Sequence, residues 1–159
     1  MTPQEAQTYL RPTVVIFYAM LVGQVMFLLV SYFLVYVADG STGGFSPELH
    51  TSLQYVVPVL TAASVGLAYL LYQYKLKSVR AQQTLAAKLR GYQAAVVQRT
   101  AMLNGGAVFL IVSFMLTGLL YYVVLYAVQL AVFMLWRPSL QAAADDLQLD
   151  GKDRSSLQA

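Results

Sequence analysis

Four polar side chains, Gln24, Ser64, Asn104 and Gln129, each stand inside a long apolar run. Hydrocarbon offers an amide or hydroxyl no partner, so such groups turn inward and pair with one another. Their positions along the runs predict convergence in one half of a helical bundle. As interhelical hydrogen bonds they would contribute about 0.6 kcal/mol per pair; the sharper reading is a site for a polar solute. Ser31, Thr61 and Ser113 are further polar groups of the same kind. No Asp, Glu, Lys, Arg or His interrupts these runs. Intramembrane ionisable groups mark proton relays and ion paths, so the sequence argues against a proton-coupled pump.

Other motifs carry less chemistry. The chain has no cysteine, which excludes disulfides, thiol catalysis and thiolate metal sites. His50 is the only histidine, has no second histidine or any cysteine to share a metal with, and reads as a solvated loop residue. Asp146, Asp150 and Gly151 match three positions of a calcium loop, but Gln148 and Leu157 stand where ligands are required. Gly105-Gly106 lacks the basic residue of a phosphate loop and reads as a packing notch. Ala62 with Gly66, and Ala101 with Gly105, have the spacing of small residues that bring helices close. With no Ser/His/Asp set and no internal acid–base pair, the expectation is a protein that is not an enzyme and takes no cofactor.

The elements that position these residues are membrane helices. Only 11% of the 159 residues are charged, against about 25% in a soluble domain. A crossing takes about 20 apolar residues. Residues 13–38 and 53–74 are free of formal charge and predict two spans. Residues 100–136 form a charge-free run of 37 residues, about 55 Å as one helix, so the run is divided into spans at 100–117 and 119–136. Thr117-Gly118-Leu119 is the turn, since Gly commonly ends a helix. Pro58 is placed in the first turn or so of the second span, where its missing N–H costs little. The fold class is therefore an all-α integral membrane protein, with four transmembrane helices in an antiparallel up-down bundle.

All ten Lys and Arg residues fall on one side of this arrangement. They comprise Arg11, the six basic residues of 75–99, and Arg137, Lys152 and Arg154. The 39–52 loop has none, so both termini are expected in the cytoplasm. Tyrosines mark the two interfaces: Tyr32, Tyr36, Tyr55, Tyr121 and Tyr122 on one side, Tyr69, Tyr72 and Tyr74 with Trp136 on the other. The first span is too long for a signal-peptide core and no A-x-A site follows it.

The 75–99 connection holds one glycine, no proline and many good helix formers. Leu85, Leu89, Tyr92 and Val96 recur on one helix face and continue to Thr100 and Leu103. One helix from about Thr84 to Thr117 is expected, with the second helix overshooting to about Arg80 to form a cytoplasmic helical hairpin. Leu76 and Val79 can cover part of the stripe. The stripe Leu85, Leu89, Tyr92 and Val96 is a candidate interaction surface, and its outer part, Leu85 and Leu89, would be covered by a partner protein, a second copy or the lipid surface. Residues 139–159 read as a polar cytoplasmic tail with a short amphipathic helix.

The segment Arg99-Thr-Ala-Met-Leu-Asn-Gly-Gly-Ala-Val-Phe109 resembles one in small four-span proteins of unassigned function from Bacteroidetes-type bacteria, which often carry Glu-Gly where Asn104-Gly105 stands here. The Arg137-Pro138-Ser139 exit and Asp146-Leu147-Gln148-Leu149 are also similar to their tail. The resemblance implies a bacterial inner-membrane location and no known activity. The same span has a weaker likeness to the outer helix of the proton-carrying c subunit of rotary ATP synthases. Asn104 stands where that family's carboxylate would be, and an amide releases no proton near neutral pH.

These readings converge on a non-enzymatic accessory or assembly subunit, or a homo-oligomer. Its partners would be the lipid bilayer, a second copy or a larger membrane protein, and not nucleic acid. The alternative is a small oligomeric transporter or channel for an uncharged or polar solute.

Overall fold

The computed structural model describes residues 3–38 and 47–149. These are helical almost throughout: α1 (Pro3–Phe33), continued by a π-helical segment Leu34–Ala38; α2 (Pro47–Arg80); α3 (Leu85–Thr117); α4 (Leu120–Leu135); and α5 (Leu140–Asp146). Among the described residues there is no strand. Leu10–Val37, Thr51–Arg80 and Leu85–Thr117 are long and apolar enough to cross a bilayer, which marks a membrane protein. The apolar helix Leu120–Leu135 is shorter, at 16 residues. It spans about 24 Å, somewhat less than the roughly 30 Å of a hydrocarbon core.

Local chemistry accounts for the helix ends. Thr84 is extended and its hydroxyl accepts the Ala87 N–H at 3.3 Å, the usual side-chain cap for an orphan donor. At the far end of α3, Gly118 takes a left-handed φ of 69°, and its N–H donates to the Phe114 carbonyl at 2.7 Å. A side chain would strain that conformation. The Thr117 hydroxyl accepts the Leu119 N–H at 3.3 Å and completes the turn into α4. Ser139 caps α5 by accepting the Ala142 N–H at 3.0 Å.

Helix α3 is the hub and packs against α1, α2 and α4. Three apolar layers follow it along its length. The first joins Leu89, Tyr92 and Val96 to Tyr72, Leu76 and Val79 of α2, to Leu10, and to Ala143, Ala144 and Leu147 of the tail. The second joins Leu103 to Phe17, Ala68 and Phe133. The third joins Leu110, Ile111 and Phe114 to Val35, Val57, Tyr122 and Tyr126. Helix α4 doubles back along α3, so that Gln129 reaches Leu103 and Trp136 reaches Arg99.

Several expectations are corrected. Helix α2 begins at Pro47, so Glu48 and His50 lie in its first turn and not in a loop; 39–46, with Asp39, lie outside the described residues. Pro58 is therefore an interior residue of α2, where it removes one main-chain hydrogen bond. Tyr72 and Tyr122 are buried in the protein and are not lipid-facing anchors. Ala62, Gly66, Ala101 and Gly105 face outward, whereas Gly106 faces in. The spacing of the small residues is compatible with either face, and the rotation of α3 about its axis selects Gly106.

Candidate functional site

None of the four polar residues Gln24, Ser64, Asn104 and Gln129 is exposed. Gln24 and Gln129 are buried, and Ser64 and Asn104 are half-buried. The structure brings two of them together. Ser64 and Gln129 meet over Gly106, where a Cβ would collide with the Ser64 hydroxyl and come within 3.3 Å of Gln129 Nε2. Gln129 donates from Nε2 to the Leu103 carbonyl at 3.1 Å, and the Ser64 hydroxyl donates to the Thr61 carbonyl at 2.7 Å. These bonds run to main-chain carbonyls, so neither donor depends on the other side chain.

Gln24 and Asn104 differ. Both amide atoms of Gln24, and Oδ1 of Asn104, are buried with no partner among the described residues. So are the hydroxyls of Thr13, Ser31 and Thr61. An unmet buried amide costs roughly 1–3 kcal/mol. Thr61 and Gln129 also line an open groove of about 310 Å³ between α2 and α4, otherwise walled by apolar residues such as Val65 and Leu125.

A second polar centre lies at the basic end of the bundle, and sequence reading missed it. Arg99 is only 8% exposed. Its Nη2 donates to the Trp136 carbonyl at 2.9 Å, and its guanidinium lies 4.0 Å from the centre of the Tyr72 ring and 5.3 Å from that of Trp136. Trp136 stacks on Tyr69 at 6.0 Å. Burying a charge is costly unless it is paired or stacked, and here carbonyl and ring faces share the task. Tyr72 donates in turn to Asp146 Oδ2 at 2.5 Å, and Arg80 Nε donates to the Asp146 carbonyl at 2.7 Å. In the sequence Arg99 is one of six basic residues in 75–99, and its only distinguishing signal is its place at the border of an apolar run.

This centre fastens the tail over the apolar stripe. Leu89, Tyr92 and Val96 are fully buried, with Leu85 half-buried beside them. Leu76, Val79, Ala143, Ala144 and Leu147 cover them from within the chain. The stripe expected as an interaction surface therefore has an intramolecular cover, because α5 folds back onto it. Of the calcium-loop residues, Asp146 is engaged by Tyr72, while Asp150 and Gly151 lie outside the described residues. No group of three or more His, Cys, Asp or Glu that could hold a metal occurs among the described residues.

Comparison with protein-family models, with curated proteins and with solved structures finds no match to this chain.

Proposed function

We propose that this chain is a four-span membrane protein with both termini in the cytoplasm, serving as a non-enzymatic accessory or assembly subunit that associates through its membrane face with a second copy or a larger membrane protein. One observation carries this reading: the small residues point outward. Among the described residues, no other part of the protein beyond the helix's own neighbouring backbone lies within 4 Å of where a Cβ would stand on Gly23, Gly66 or Gly105. Ala19, Ala62 and Ala101, each four residues before one of these glycines, are exposed as well. Small residues four apart let another helix approach closely in a bilayer, where apolar surface alone drives no association. Two further observations support the four-span reading. The sharp αL turn at Gly118 sends α4 back along α3. The basic residues are also gathered away from the 39–52 segment. As a short span, α4 is accommodated by local thinning of the bilayer. The resemblance to small four-span proteins of Bacteroidetes-type bacteria fits an inner-membrane location.

The test is affinity purification in mild detergent of wild type, Gly66→Leu and Gly105→Leu. A stoichiometric partner or defined oligomer in wild type, weakened in either variant, is expected; a monomer without a partner, unchanged by both substitutions, counts against the subunit reading. The second reading, a small transporter, is favoured by the unpartnered amide of Gln24 and the groove beside Thr61 and Gln129. Solute flux into liposomes containing only this protein would support it.

A further inference from the structure

Where the basic end of α2, α3 and α4 meets α5, the chain leaves an open pocket of about 200 Å³ lined by Tyr69, Tyr72, Gln73, Arg99, Trp136, Arg137 and Asp146. Arg99 is the residue that asks for a ligand. Its guanidinium carries five N–H donors in a planar fork, yet among the described residues it makes one hydrogen bond, to the Trp136 carbonyl. The rings of Tyr72 and Trp136 lie against the cation but accept no conventional hydrogen bond from it, so among the described residues its other donors have no oxygen partner. A planar fork of this kind matches the oxygens of a phosphate. Arg137, exposed on the same pocket, brings a second guanidinium. The Asp146 carboxylate is turned to the Tyr72 hydroxyl, so the lining side chains keep one net positive charge.

The surroundings indicate where the phosphate comes from. Stacked Tyr69 and Trp136 are the half-polar rings that settle at headgroup depth, and basic pockets between transmembrane helices on the cytoplasmic side bind anionic headgroups. We propose that this pocket binds the phosphate of an anionic phospholipid, with Arg99 and Arg137 donating to its oxygens and α5 forming one wall. The proposal rests on the four-span reading, which places this end of the bundle at the cytoplasmic surface.

Trp136 is the only tryptophan in the chain, so its fluorescence reports on this pocket alone. The full chain is reconstituted in phosphatidylcholine vesicles with equal small fractions of either phosphatidylglycerol or phosphatidylcholine brominated on the upper acyl carbons. One net charge at a lipid surface corresponds to a preference of about fivefold. Brominated phosphatidylglycerol should therefore quench Trp136 with about a fivefold higher relative association constant, and the preference should fall towards one in Arg99→Gln and in Arg137→Gln. The exposed Arg137 variant keeps the test decisive if Arg99→Gln does not fold. Equal quenching by both lipids, or an undiminished preference in Arg137→Gln, would overturn the site while leaving the membrane reading intact. Loss of the preference on adding inorganic phosphate, but not chloride at matched ionic strength, would assign the pocket to soluble phosphate and overturn the lipid as its ligand. Absence of quenching by either lipid would remove Trp136 from the bilayer, and the four-span reading would fall with the site.

Discussion

The hydroxyl of Tyr72 on α2 donates to the carboxylate of Asp146 on α5 across 2.5 Å, joining residues 74 apart in the chain. Beside it, Arg80 holds the main-chain carbonyl of Asp146 at 2.7 Å. A seven-residue helix has too few internal hydrogen bonds to stand alone. Its position therefore depends on this latch and on the burial of Ala143, Ala144 and Leu147.

Tyr72→Phe keeps the ring under Arg99 and removes the donor to Asp146. A hydrogen bond to a charged group contributes about 1.5–3 kcal/mol. Hydrogen exchange at the Leu147 and Leu149 amides, which donate to Ala143 and Ala144 in the wild type, should then accelerate by about tenfold or more. Exchange at the wild-type rate would mean that apolar burial alone holds the tail.

Leu85→Asp and Leu89→Asp should part company. Leu89 is fully buried in the apolar cluster that α5 completes, and Leu85 is half-buried at its edge. An unpaired carboxylate at Leu89 should free the tail and expose 85–96 to protease, whereas at Leu85 it can reach water. Equal protease resistance of the two variants would show that the stripe is not sealed as described.

Two adjacent glycines should respond oppositely to alanine. At Gly105 a methyl meets no other element of the described residues within 4 Å, and the residue gains about 1 kcal/mol of helix propensity. At Gly106 it displaces the Ser64 hydroxyl, which must give up its bond to the Thr61 carbonyl, and it crowds Gln129, for a cost of about 1 kcal/mol. Thermal unfolding in detergent should therefore place Gly105→Ala at or above wild type and Gly106→Ala below it. The reverse order would mean that α3 is rotated from its described position.

Gly91 makes the equivalent contact below the bundle, where a Cβ would stand 2.6 Å from a Val79 methyl. The valine side chain is stiff and cannot turn aside cheaply. Gly91→Ala should lower the unfolding temperature, and Val79→Ala in that background should recover part of the loss. Additive effects of the two substitutions would show that α2 and α3 do not touch there.

The orientation is read from basic residues alone and is tested by labelling. A cysteine at Ser41 should react with an impermeant thiol reagent from outside intact cells, with any outer membrane permeabilised. A cysteine at Gln83, in the exposed turn between α2 and α3, should not. The opposite pattern would invert the topology, and labelling of both would break the span count.

By itself the sequence determined that this chain is helical and apolar enough for a membrane, and where two of its helices meet. The cap at Thr84 and the turn at Gly118 depend on main-chain groups within four residues of each, so local chemistry suffices to find them. That α2 continues beyond its apolar run was legible because helix formers follow Tyr74, but Ala81-Gln82-Gln83 are equally good ones and nothing local marks the stop at Arg80. Only the tertiary structure decided which faces these helices turn to one another. Spacing makes Gly105 and Gly106 nearly equivalent, yet one meets the surface and the other meets Ser64. Spacing likewise revealed the stripe through Leu89 and Tyr92 but not that α5 would cover it, because α5 arrives from some fifty residues further along. Arg99 read as one basic residue among six until Trp136, 37 positions away, was placed beside it. Helix formation is decided by neighbours in sequence, whereas rotation and docking are decided by side chains that only the folded chain brings together.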